Sequence, residues 1–243
     1  MIGVLLQGVL ETQANFILAA AGVCVLTAFT LVLLMRNTDI ASKRQKTYAA
    51  IWTALVAGVG VWTTHFVAMI GYRPDAALTY DLSLTTLSIF VGVLGIGIPV
   101  AASIFATQAG TRIILGVVAG LGVAAMHLTG MSAIQNCLAT YNPLVLIAGV
   151  AAGIAGFVVA LQHHDDSRRS QLIKSAGIVL GVCGLHFIAM AAVSLDQTGT
   201  SLAGIGGSFL SIMVAVVSLG VFTMSVLATF THRRTLAMTR AGY

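Results

Sequence analysis

The chain has 243 residues, of which 58% are hydrophobic and only 8% charged, and its mean hydropathy is +1.00. So little polar surface excludes a soluble domain and assigns the chain to a lipid bilayer. The net charge of +5 comes from cations at the ends of apolar stretches, where they report topology and meet anionic headgroups, and it calls for no nucleic-acid partner.

Residues 1 to 14 contain Glu11 and no basic run, so no cleavable leader is expected. The first predicted span, about 15 to 35, runs into Arg36 as a stop. Further spans are predicted at about 48 to 70, 82 to 106, 112 to 134, 143 to 161, 171 to 194 and 205 to 230. Each can cross a hydrocarbon core of about 30 Å, which takes about 20 helical residues. Continuously apolar runs of this length lack the period-two alternation of a membrane barrel. The predicted fold is therefore all-α: one polytopic domain over residues 1–243, a bundle of seven transmembrane helices. Arg36, Lys43, Arg44, Lys46, Arg112, Arg168, Arg169, Lys174, Arg233, Arg234 and Arg240 fall on one side of this arrangement and Arg73 on the other. The positive-inside rule then puts the N-terminus out and the C-terminus in.

Spans two, four and six repeat one phrase: Gly60-Val61, His65, Met69; Gly122-Val123, His127, Met131; Gly181-Val182, His186, Met190. The histidines are about one helix pair apart, so three helix-pair units (about 15–70, 82–134 and 143–194) plus a seventh helix make up the chain. All three spans run inside to outside, which sets the imidazoles at one level, about 9 to 12 Å below the outer boundary. His and Met four residues apart share a helical face. Residues Ala68, Gly130 and Ala189 before each Met are small, as is the glycine five before each His, and Gly116/Gly120, Gly149/Gly153 and Gly177/Gly181 recur at four-residue spacing. Such positions bring helix backbones close and turn the histidines inward, and the remaining glycine-rich faces leave room for a homodimer.

A lone intramembrane histidine is often a hydrogen-bonded core residue, and a lone Met is more often packing than ligand. Three copies whose neighbours have diverged argue for function. Imidazole with thioether in a site free of acids suits copper as Cu(I) or Cu(II); zinc prefers thiolate or carboxylate in the fourth place and is the lesser candidate. The candidate ligands are His65, Met69, His127, Met131, His186 and Met190. Cys183, three before His186, is a further candidate, although a buried Cys usually acts as a small apolar residue.

Cys24 and Cys137 belong to no metal-spacing motif, Trp62 suits either packing on the site or an interfacial belt, and Asn136 is a candidate hydrogen-bond partner behind the ligands. His163 and His164, beside Asp165 and Asp166, read as an exposed loop. A retinal protein would need a lysine in the last span, and residues 205–230 have none. Haem would leave the third histidine unexplained. A zinc-dependent membrane hydrolase would need an acid at histidine depth, where only Asp81 and Asp196 at the outer ends could reach in. A transporter for a metal ion or small molecule suits a helix-pair repeat, but Met213 and Met224 are too few to form a ladder inward.

The stretches MHLTGM (Met126–Met131), THFVAM (Thr64–Met69) and LHFIAM (Leu185–Met190) resemble the MHYT domain, a bacterial seven-helix membrane sensor named for its Met-His-Tyr-Thr motif. The likeness spans essentially the whole chain. It departs from the motif at Phe66, Leu128 and Phe187, which replace Tyr, and only the second copy keeps the leading Met (Met126) and the Thr (Thr129). The resemblance implies a non-catalytic, copper-binding signalling module in the bacterial inner membrane. It also implies a sensor of oxygen, carbon monoxide, nitric oxide or redox state, acting on a cyclic-di-GMP enzyme or histidine kinase as partner protein or fused domain. Met126 carries over as a lesser ligand candidate, since it points about 100° from His127 on a helix.

Overall fold

The first N–H groups of a helix have no partner within it, and several helices here start on side chains that accept from them. A computed structural model describes residues 14–36, 38, 41–72, 78–197 and 205–240. Glu11 and Arg73 lie outside these. Among the described residues, seven helices are long and apolar enough to cross a membrane: α1 (Ala14–Met35), α2 (Lys43–Gly71), α3 (Leu82–Phe105), α4 (Ala109–Ser132), α5 (Pro143–Gln162), α6 (Arg168–Ala192) and α7 (Gly207–Arg240). Ser42 and Gln45 form a reciprocal capping box at the start of α2. Asp81 Oδ1 accepts from the Leu84 N–H at 2.8 Å to start α3, Asn142 accepts from the Leu144 and Val145 N–H groups ahead of α5, and Ser167 accepts from the Ser170 N–H ahead of α6.

The predicted spans match these helices closely, with two extensions: α2 starts at Lys43 and α7 runs on to Arg240. Hydropathy marks only the apolar part of a helix, and a capping box or a polar but helix-compatible stretch carries it further.

Six helices form a ring in chain order, with α6 returning against α1, and α7 lies outside it against α2. The ring closes through glycines. A Cβ at Gly60 would come within 2.5 Å of the Thr27 side chain on α1, one at Gly122 would overlap the Gly95 carbonyl on α3, and one at Gly181 would sit 3.2 Å from Gly153 O and Gly156 Cα on α5. The glycine of each repeated phrase is thus where the first helix of the same pair docks. Between pairs, Gly58 meets Val93, and Gly116 and Gly120 meet Val158 and Ile154.

One helix departs from regular geometry. Val93–Gly97 in α3 is a π-helical turn, with the Ile98 N–H bonded to the Val93 carbonyl, and Ser103–Phe105 is a 3₁₀ turn. Pro99 has no N–H for the Gly95 carbonyl, which removes one α-helical bond there and favours local rewinding. The turn sits where Gly58 of α2 and Gly122 of α4 press on it from two sides.

Short ribbons tie the connections together at the end of the bundle away from most of the basic residues. Strand β2 (Cys137–Tyr141) pairs antiparallel with β3 (Val193–Gln197), with Ala139 opposite Leu195; β1 (Thr79–Tyr80) pairs with β4 (Ile205–Gly206). They are absent from the sequence reading because a five-residue strand between two spans carries no periodicity of its own; its partner is 50 or more residues away.

Substituting Gly122→Ala should destabilise the detergent-solubilised protein by about 1–3 kcal/mol, since the new methyl meets backbone that cannot step aside. Gly110→Ala, whose Cβ would meet nothing within 4 Å, should leave it unchanged or stabilise it by about 0.5–1 kcal/mol. Paired thermal unfolding curves check both signs.

Candidate metal centre

The common spacing within the repeats and the docking of each motif glycine give α2, α4 and α6 the same rotation, and their histidines meet. His65, His127 and His186 are 3%, 1% and 7% exposed. His65 Nδ1 lies 3.2 Å from His127 Nδ1 and 3.2 Å from His186 Nδ1. Ring centroids are 4.8, 5.2 and 5.3 Å apart, with planes crossing at 76° to 85°.

Hydrogen bonding alone cannot satisfy this cluster. In its ring plane, an Nδ1 carries either one proton or one lone pair, so His65 Nδ1 cannot complete both short contacts with linear bonds. The Nε2 atoms of His65 and His127 are buried without a hydrogen-bond partner, which is unfavourable in an apolar interior. A cation among the three Nδ1 atoms accepts every lone pair at once. Imidazole nitrogens about 2.0–2.1 Å from one tetrahedral ion stand about 3.3 Å apart, close to the separation found here. The donor set therefore fits a transition metal.

Gly130 explains one small residue of the motif. A Cβ there would lie 2.6 Å from His65 Nε2 and 3.4 Å from Phe66 Cζ, so the α4 backbone forms a wall behind the His65 ring. Phe66 stands edge-on to His65 at 4.8 Å, and Trp62 packs on Phe66 at 4.7 Å while donating to Ser88 Oγ at 2.8 Å. Trp62 is fully buried, so of its two predicted places it takes the one inside the bundle.

Met69, Met131 and Met190 lie one turn beyond the histidines, 2%, 1% and 4% exposed, in the same apolar core. Met126 is buried beside the α2–α3 contact, its Cγ 3.5 Å from where a Gly92 Cβ would be. Cys183 is a free, half-buried cysteine on α6. Asn136 Oδ1 accepts from the Thr79 N–H. Asp81 is committed to its cap and to Gln135 Nε2, and Asp196 is exposed on β3. Among the described residues, the three histidines form a group that could hold a metal ion, their ligand atoms within 4.8 Å of one another, and the group includes no carboxylate. His163 is half-buried and His164 exposed, bonding to the Val159 and Gln162 carbonyls.

A seven-helix membrane bundle with a buried tri-histidine centre is the class that fold and site define. The chain belongs to the MHYT family, described as a bacterial signalling protein N-terminal repeat, whose model matches residues 58–117, 120–174 and 180–242. Each matched unit begins just ahead of a motif glycine. The bifunctional diguanylate cyclase/cyclic di-GMP phosphodiesterase MucR of Pseudomonas aeruginosa is 30% identical over 89% of this chain and 33% of its own length. The cyclic di-GMP phosphodiesterase NbdA of the same species is 34% identical over 61% of this chain and 20% of its own length. The signaling protein YkoW of Bacillus subtilis is 27% identical over 66% of this chain and 21% of its own length. The chain thus spans a third or less of the length of these curated relatives. No solved structure matches it at a significant level. Family and helices together make it a multi-pass inner-membrane protein and a membrane signalling sensor module.

Gly130→Ala leaves every candidate ligand in place but pushes on His65. Transition-metal affinity should fall about 10- to 100-fold, measured by competition with a chelator, and an unchanged affinity would remove His65 from the centre.

Proposed function

We propose that the chain binds one copper ion through His65, His127 and His186 and signals a change at that ion across the inner membrane. The stimulus in this reading is a diatomic gas (oxygen, carbon monoxide or nitric oxide) or a change of redox state. The output is a cytoplasmic cyclic-di-GMP enzyme or histidine kinase, in keeping with the names of MucR and NbdA. The convergence of three imidazoles, with His65 Nδ1 at 3.2 Å from Nδ1 of each of the other two, carries the reading. Copper is favoured over harder ions because the donors are imidazoles with thioethers one turn away and no carboxylate.

When bound, copper supplies a redox-variable centre with room for a gas ligand. The protein's part is to hold the three Nδ1 atoms together, exclude water and pass on small displacements of α2, α4 and α6. Met69, Met131 and Met190 are the candidate sulfur donors on the same helices. With the N-terminus out and the C-terminus in, as the basic residues require, α7 connects the bundle to the cytoplasm, and it packs on α2, which carries His65. A shift of α2 therefore has a direct path to the basic end. The module itself is non-catalytic in this reading. Among the described residues, Asp81 is held by its cap and Asp196 is exposed, and neither is placed as the general base a hydrolase would need. A transport pathway is not favoured either, since Met224 faces outward, 49% exposed.

Metal analysis of protein purified without chelator or affinity metal should find about one copper per chain, and none after His65→Ala/His127→Ala/His186→Ala. Copper unchanged in the variant, or no metal in either protein with the variant still folded, would make the histidines structural.

A further inference from the structure

His65 is the hub of the centre, since its Nδ1 lies 3.2 Å from Nδ1 of both other histidines. Three residues before the histidine, the first copy of the repeated phrase has Trp62 where the second has Ala124 and the third Cys183. Trp62 and Phe66, four residues apart on one face of α2, are fully buried. The indole lies 4.7 Å from the Phe66 ring, tilted by 39°, and Phe66 stands edge-on to His65 at 4.8 Å and 81°. Tyr80, at 6.3 Å, and the α4 backbone at Gly130 also border Phe66. Phe66 therefore cannot turn without displacing the indole, the Tyr80 ring or a helix backbone.

The indole is itself anchored on a different helix. Trp62 Nε1 donates to Ser88 Oγ of α3 at 2.8 Å, Ser88 Oγ donates to the Thr85 carbonyl at 2.6 Å, and Thr85 Oγ1 donates to the Asp81 carbonyl at 2.7 Å. Each hydroxyl proton is thereby committed, and an indole N–H can only donate, so the direction of the Trp62–Ser88 bond is fixed. Gly58 and Trp62, one turn apart on α2, face Gly92 and Ser88, one turn apart on α3, with the Gly58 carbonyl 2.9 Å from where a Gly92 Cβ would be. An apolar pair at 62 and 88 would fill the same space with no polar group to satisfy; the polar pair adds one defined seat for the indole. We propose that Trp62 is a positioning residue of the centre: Ser88 fixes the indole on α3, and the indole fixes the plane of the His65 imidazole through Phe66. The inference rests on the reading of the three histidines as a copper centre, and it makes the affinity of that centre depend on α3, which carries no ligand.

The chain has two tryptophans, and Trp52, which packs on Tyr48 further down α2, serves as internal reference. In the full chain purified in detergent with nitrogen-15 in the indoles, adding Cu(I) under reductant should shift the Trp62 N–H resonance more than that of Trp52. Ser88→Ala leaves the indole without its acceptor and should lower copper affinity about 10-fold, with an altered Cu(II) electron paramagnetic resonance spectrum. Trp62→Phe/Ser88→Ala removes both polar partners. Its thermal stability should return toward that of the wild type while affinity and spectrum stay altered, because the packing is restored and the anchor is not. Affinity and spectrum recovering together with stability would make the pair structural and overturn the proposal, as would a Trp62 resonance indifferent to bound copper. In both cases copper bound by the wild type and lost from the tri-histidine variant leaves the reading of the centre standing. Copper absent from the wild type overturns that reading, and the positioning role with it.

Discussion

Helices in this bundle approach closely at glycines, backbone to backbone at Gly122 and Gly181 and backbone to the Thr27 side chain at Gly60, and the geometry of the centre depends on that contact. Gly60, Gly122 and Gly181 each receive the preceding helix of their own pair. In lipid, where apolar surface gains little from leaving the surroundings, close backbone approach and the dispersion contacts it allows are a main source of helix association. Because the same glycine lies five residues before each histidine, the contact that joins a helix pair also sets the rotation of its histidine. Packing and site construction share the same atoms.

Polar groups inside the bundle divide into two kinds. Thr27, Thr30 and Thr64 return their hydroxyls to carbonyls four residues back, on Val23, Leu26 and Gly60, and are satisfied within their own helices. Trp62 and Ser88 satisfy each other across α2 and α3. The imidazoles do neither. They meet at nitrogens that cannot all be paired by protons, and two of their outer nitrogens are left without partners. The Thr53 and Thr63 hydroxyls of α2 are without partners as well, but singly; three ionisable groups meeting unsatisfied inside the membrane are a marker of function.

The π turn of α3 departs from regular helix geometry, and the α1–α6 seam is where the ring closes. Val93–Gly97 is wedged between α2 and α4, two of the histidine helices, and a π turn has one residue more than the regular winding can hold. The seam sets α1 against α6, the third histidine helix. Both features lie on elements that a change at the centre would move.

Sequence by itself determined the solvent, the seven spans, the triple phrase and the residues worth suspecting. These rest on local quantities: hydropathy over about 20 residues, and the fixed offsets of side chains around a helix. His65, His127 and His186 were legible for that reason, as was the closeness imposed by Gly122. Which nitrogen each histidine presents, that Met126 lies against Gly92, and that Cys137–Tyr141 pairs with Val193–Gln197 were decided only by the tertiary structure. Each depends on how two helices or loops far apart in the chain are rotated against one another, and no spacing within a single segment encodes that angle.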